Sequence, residues 1–195
     1  LKLVRYADDF VILCRSVNQA VAAMKLVRAQ LTKLKLELAE EKTMVTDYKT
    51  GFDFLGYRFQ EFHGNKRWPC RKAVLAFKDK IRRLTRRQQP KNVAEAIAAM
   101  SPVIRGWGNY FRHGNSTTCF VRLDGWIRMR LRSFIEKKKW PAGMNWKYPT
   151  DHFVNLGLVC LTPLVAPFMG AQLSFSDMEQ PARRAVCGKS ARTVR

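Results

Sequence analysis

Leu1-Lys2-Leu3-Val4-Arg5-Tyr6-Ala7-Asp8-Asp9-Phe10-Val11-Ile12-Leu13-Cys14 sets two short β-prone runs on either side of a turn containing adjacent aspartates. Aspartate tolerates the unusual backbone angles of a tight turn, so the stretch predicts a hairpin with two carboxylates at its tip. Such a pair is costly unless a positive charge compensates it, and divalent cations do so directly. An ordinary acidic turn in water is the competing reading. The apolar runs on both sides favour the first, because they place the carboxylates at the edge of a rigid sheet, a setting suited to two-metal phosphoryl transfer.

Beyond the hairpin, Val17, Ala20, Val21, Met24, Val27, Leu31, Leu34 and Leu38 recur at helical spacing, with Ser16 as the cap of one long amphipathic helix. Met44 to Thr46 reads as a strand. Phe52, Phe54, Leu55, Tyr57, Phe59, Phe62 and Trp68 read as a second hairpin, making residues 1–70 a β-rich unit with one helix. The rhythm then becomes helical. Val74, Phe77, Ile81 and Leu84 form one apolar stripe. Val93, Ile97, Met100, Ile104, Trp107 and Phe111 form a second, with a restart or kink expected at Ser101-Pro102. Phe120, Leu123, Ile127, Leu131 and Phe134 form a third, and three complementary stripes predict a bundle over 71–140. An apolar stretch from Phe153 to Leu161 closes this region at 141–162 as a short helix or strand. Residues 163–195 show no sustained period and are expected to be a poorly ordered tail. The fold class is α+β.

The chain has 195 residues with 36 Lys and Arg against 15 Asp and Glu, a formal charge of +21. Residues 71–140 hold 18 of the basic and 4 of the acidic side chains, so the helical middle carries most of the excess. That balance predicts a polyanionic partner, and clustered Arg and Lys suit structured RNA through salt-sensitive phosphate contacts. A solvated charged face is the bland alternative. No apolar run is long enough to span a bilayer and no signal segment opens the chain, so a soluble intracellular protein, cytoplasmic or nucleoid-associated, is expected. Cys14, Cys70, Cys119, Cys160 and Cys187 lack zinc-type spacing and are expected to be reduced.

Arg5-Tyr6-Ala7-Asp8-Asp9-Phe10 resembles the palm signature of reverse transcriptases, and Phe10-Val11-Ile12-Leu13-Cys14 continues in the style of group II intron enzymes. Leu36-Glu37-Leu38 through Lys42-Thr43 resembles the next block of that family, and Gly51-Phe52-Asp53-Phe54-Leu55-Gly56-Tyr57 the block that grips the primer. Met100-Ser101-Pro102 with Arg105-Gly106-Trp107-Gly108-Asn109-Tyr110-Phe111 resembles the maturase-specific region, which serves as the polymerase thumb. The four blocks fall in family order across about residues 1–160.

The resemblance implies a partial polymerase palm followed by a helical thumb. It implies Mg²⁺ at Asp8, with Asp9 as a supporting carboxylate, and Tyr6 near the primer end or incoming nucleotide. Lys42 matches a lysine that protonates leaving pyrophosphate; a solvated lysine is the alternative. Phe54, Leu55, Gly56 and Tyr57 would support the primer strand. Lys72, Lys78, Lys80, Arg82, Arg83, Arg86, Arg87, Arg105, Arg112, Arg128 and Arg132 are the candidate RNA contacts, with group II intron RNA and a DNA primer or target as partners. Trp107, Tyr110 and Phe111 are expected mainly in the core. Leu1 lies within a strand, so the chain is expected to begin inside a longer fold, with fingers and a palm strand bearing another aspartate ahead of it. On that expectation the chain alone does not polymerise. The alternatives are an RNA-binding maturase-like module and a remnant with an unpaired sheet edge.

Overall fold

In a computed structural model of the chain, residues 1–86, 88–137 and 145–165 are described, together with the backbone of 184–188 and 191–193. The chain divides into two compact units, Leu1–Arg67 with Gly170–Arg195, and Trp68–Met169.

The first unit begins with the expected hairpin, β1 (Lys2–Tyr6) and β2 (Asp9–Cys14), paired antiparallel with Tyr6 opposite Asp9. Helix α1 (Val17–Lys33) follows, and Ser16 caps it by accepting from Gln19 N at 3.3 Å. The expected stripe ran on to Leu38, but the helix stops earlier. Lys35 takes a left-handed φ of 55°, and Leu34 N and Lys35 N donate back to Leu31 O and Thr32 O. Leu36–Leu38 therefore leaves as strand β3, and Leu34 is exposed. A 3-10 turn (Glu40–Lys42) leads into β4 (Met44–Asp47). Then β5 (Phe52–Phe54), β6 (Tyr57–Glu61) and β7 (Asn65–Pro69) form a three-stranded sheet in that order.

The tail departs most from expectation. Arg184–Gly188 is a strand, β8, and Ala191–Thr193 another, β9. Strand β8 lies between β2 and β4, antiparallel to both, and β9 pairs with β3. Since β2 and β4 both oppose β8, they run parallel to each other across a one-strand gap that β8 fills. The cause is tertiary: two strands spaced to leave a gap offer backbone donors and acceptors on both sides of it. Strand β8 thereby covers the free side of β2, while β1 stays at the edge of the sheet. The rest of residues 166–195 lies outside the described residues.

Core formation in this unit splits between two sheets. Ile12, Cys14, Ala20 and Ala23 bury α1 against the four-stranded sheet, with Phe10, Met24, Val27 and Val45 packed around them. Val11, Phe52 and Phe54 form a second cluster with Leu13, Tyr48, Leu55 and Phe59. Alternation along β2 serves both, because successive side chains point to opposite faces.

The second unit is built on α2 (Arg71–Leu84), α3 (Val93–Phe111) and α4 (Thr117–Ile135). Phe77 and Ile81, Ile97, Met100 and Ile104, and Phe120, Leu123, Ile127, Leu131 and Phe134 are all buried, as the three stripes predicted. Trp107 joins the helices. Its ring stacks on Phe77 at 4.7 Å and tilts against Phe111 and Phe120 at 4.5 and 5.7 Å. Tyr110 is exposed, with its ring edge against Phe111. Asn92 caps α3 in a reciprocal box with Glu95.

No restart occurs at Ser101-Pro102. Helix α3 runs through it, because Pro102 sits on the exposed side while the buried Ile97, Met100 and Ile104 hold the register. Ser101 Oγ bonds within and beyond the helix, donating to Ile97 O at 2.9 Å and to Gly157 O at 3.1 Å. The Phe153–Leu161 stretch becomes the end of a short helix, α5 (Thr150–Asn155), then a turn at Gly157 and buried Leu158 and Leu161. No helix among the described residues is long and apolar enough to cross a membrane.

Candidate metal turn and nucleic-acid interface

The acidic turn is a two-residue connection, Ala7-Asp8, closed by the Tyr6–Asp9 pair. Its left-handed residue is Ala7, at φ 52°, rather than either aspartate. Arg5 Nε donates to Ala7 O at 2.7 Å and so braces that peptide. Asp8 and Tyr6 are exposed and Asp9 is half-buried, so the carboxylates are accessible on a fixed strand end. Among the described residues no group of three His, Cys, Asp or Glu gathers as a metal cage. Carboxylate oxygens nonetheless suit Mg²⁺, which binds through one or two carboxylates and keeps waters or substrate phosphates for its other positions.

Lys42 closes the 3-10 turn ahead of β4 and is exposed. Sheet register locates it relative to the acidic turn. Val11 and Met44 both pair with Cys187. Asp9 and Lys42 each precede that row by two residues, so both leave the sheet at the same end. The two outer strands of the row are separated by two strand spacings, roughly 10 Å.

Phe54 and Tyr57 are partners across the β5–β6 turn, whose central residues Leu55 and Gly56 both have positive φ, 49° and 77°. Such a turn matches the twist of the strands, and glycine supplies one of its two angles without strain. Phe54 is buried, while Leu55, Gly56 and Tyr57 are half-buried.

The candidate RNA contacts separate on inspection. Lys72, Lys80, Arg83, Arg86 and Arg105 are exposed and enter no ion pair among the described residues. Arg82 pairs with Asp79, and Arg82 and Lys78 both lie against the Trp126 ring, at 5.6 and 5.4 Å. Arg132 donates through Nε and Nη2 to Tyr148 O at 3.0 and 2.8 Å. Arg112 is half-buried, with its Nε enclosed and without a hydrogen-bond partner among the described residues. Arg87 lies outside the described residues.

Three residues that periodicity left aside organise this surface. Arg130 donates to Thr85 O at 2.8 Å and to Thr85 Oγ1, tying α4 to the end of α2. Trp126 carries the two cations of α2. Asp124 is buried and accepts from Leu161 N, Thr162 N and Thr162 Oγ1. Each of these contacts spans tens of residues, so no local pattern announces it.

Two family models match the chain, the reverse transcriptase (RNA-dependent DNA polymerase) over residues 1–59 and the group II intron maturase-specific domain over 74–150. A strand-rich reverse transcriptase segment followed by maturase-specific helices defines a reverse transcriptase/maturase. The group II intron-encoded protein LtrA of Lactococcus lactis subsp. cremoris is 45% identical over 62 residues, covering 29% of this chain and 10% of LtrA. The protein of the same name from strain MG1363 gives the same figures. The two matches in this order, with the likeness to LtrA, support a group II intron reverse transcriptase/maturase. The matched region spans about a tenth of the length of these curated relatives.

Proposed function

We propose that the chain supplies the acidic turn and RNA-binding helices of a group II intron RNA-directed DNA polymerase that also assists splicing. The observation that carries this reading is the exposed Lys72, Lys80 and Arg83 of α2 with Arg86 just beyond its end, none in an ion pair among the described residues, following a unit whose hairpin carries Asp8-Asp9 at its turn. Asp8, with Asp9 beside it, would hold Mg²⁺, which when bound stabilises charge on the transferring phosphoryl group. Arg5 keeps the turn rigid. Lys42, at the same sheet end, donates a proton to departing pyrophosphate, and Phe54, Leu55, Gly56 and Tyr57 support the primer. Tyr6 lies beside the primer end or incoming nucleotide. The helices hold intron RNA through phosphate contacts.

Primer extension by the intact protein carrying Asp8→Ala tests the polymerase role; DNA synthesis should be lost, and undiminished synthesis would overturn it. A second reading, RNA binding without chemistry, is favoured by the exposed cations Lys72, Lys80 and Arg83 of α2, which can hold phosphates without the acidic turn. It expects tight, salt-sensitive RNA binding that survives Asp8→Ala and weakens when Arg83 and Arg86 are neutralised.

A further inference from the structure

On one side of α4, Gly125, Arg128, Met129 and Arg132 face Asn145 and Thr150 across a cleft of about 580 Å³. The cleft lies wholly within the second unit. Arg132 is held rigidly in it. Its Nε and Nη2 are bonded to the Tyr148 carbonyl, and its guanidinium carbon stands 5.7 Å from the centre of the Phe153 ring. Arg128 is one helical turn earlier. A Cβ placed on Gly125 would stand 4.0 Å from Arg128 Nη2, so that guanidinium lies back along the helix over a position without a side chain.

Neither arginine forms an ion pair among the described residues, two neighbouring carboxylates are bonded elsewhere, and Asp151, next to the lining Thr150, is exposed. Asp124 serves Leu161 and Thr162, and Glu136 serves Lys147 and Tyr148. Burial, and then the charge of Arg128, hold the Arg132 pKa below its ordinary value. Two like charges one turn apart, partly withdrawn from water, repel each other until an anion separates them. A phosphate matches them best, because its oxygens accept the paired donors of the Arg128 guanidinium while Arg132, whose Nε and Nη2 are bonded to Tyr148 O, adds its fixed charge. The volume exceeds what one phosphate fills and falls in the range of small-molecule sites. Met129 offers apolar surface to a sugar or base, and Asn145 and Thr150 offer hydrogen-bonding groups.

We propose that this cleft seats a backbone phosphate and its attached nucleoside from a single-stranded stretch of RNA. The proposal rests on the RNA-binding reading above and sharpens it, since a duplex presents its phosphates on a convex surface and does not enter such a recess.

Fluorescence anisotropy with a short single-stranded RNA and a blunt RNA duplex tests it on the intact chain. Arg128→Gln and Met129→Trp, the latter filling the cleft without changing charge, should each weaken single-strand binding about tenfold, and Met129→Trp should leave duplex binding unchanged. Circular dichroism verifies that each variant is folded, and Arg128→Gln carries the test alone if Met129→Trp is not. Unchanged single-strand affinity in the folded variants, with Arg83→Gln/Arg86→Gln weakening both RNAs, overturns the cleft and leaves general RNA binding intact. Salt-insensitive or absent binding by the unmodified chain overturns both. Saturation of the cleft by AMP with the single-stranded RNA still bound assigns it to free nucleotides and likewise overturns the proposal.

Discussion

Thr162 donates to Asp124 through both its backbone N–H and its hydroxyl, at 2.9 and 2.6 Å, so one buried carboxylate on α4 holds the turn that follows α5. Leu161 N adds a third bond at 2.8 Å. Replacing Asp124 with Ala strands three donors, and the expected cost is about 3 kcal/mol. Urea denaturation of the variant would measure it. Asp124→Asn keeps the shape and should lose markedly less; equal losses would mean that the contacts to this residue are not what stabilises the turn.

Gly108 faces the same turn from α3. A Cβ there would come within 2.6 Å of Leu164 Cδ1 and 2.9 Å of Leu161 Cδ2. Gly108→Ala gains helix propensity but pushes on the buried Leu161 and half-buried Leu164, so a net loss of about 1 to 2 kcal/mol is expected. Gly106, on the same helix with open space around it, is the control: its replacement by Ala should stabilise, and thermal unfolding of the pair reads both signs.

Ala7 carries the positive φ of the acidic turn. A non-glycine residue in that region costs about 1 to 2 kcal/mol, of which glycine returns roughly 0.5 to 1 through greater freedom of the unfolded chain. Ala7→Gly should therefore stabilise by about 0.5 kcal/mol, measured as a small rise in Tm. A fall would mean that the left-handed strain at Ala7 is smaller than the freedom glycine restores to the unfolded chain.

Burial raises the thiol pKa of Cys14, Cys119 and Cys160 above the ordinary 9.0. Asp124 adds to the rise at Cys160, while Arg128 opposes it. In each case the folded state holds its proton longer than the unfolded chain. Stability from these groups is thus complete below about pH 9 and is lost as pH rises through the folded values. Denaturation midpoints should be flat from neutral pH to about pH 8.5 and then fall. Cys160→Ala should make that alkaline fall shallower, and an unaltered slope would exclude the thiol as its source.

Residue order carried the helical half of the fold plainly. Phe120, Leu123, Ile127, Leu131 and Phe134 recur at intervals that allow only one buried face, and the face is buried. The Asn92–Glu95 box is also a local signal, readable from spacing alone. Pro102 misled because a proline within a stripe ordinarily ends it, whereas here its exposed setting leaves the buried register undisturbed. Strand β8 could not be read at all, since Arg184–Gly188 has no distinguishing period and becomes a strand only because β2 and β4 leave a place for it. At the candidate sites, the acidic turn and the basic excess were legible as composition and spacing. Which cations are already engaged was not, because Arg130 finds Thr85, and Arg132 finds Tyr148, only after the helices have packed.

Strand β8 also sets the order in which the molecule can assemble. With Phe10 opposite Gly188, the four-stranded sheet joins residues from far apart in the chain, while the whole of the helical unit is contiguous and lies between them. On the ribosome, β1, β2 and β4 emerge long before their central strand, and α2, α3 and α4 can pack in the interval. Contacts so distant form slowly, because the entropy of closing the loop is lost before any pairing rewards it. The helices should thus become protected from hydrogen exchange first, and the sheet beside Asp8 and Asp9 last, so the acidic turn gains its rigid footing only after the basic helical surface exists.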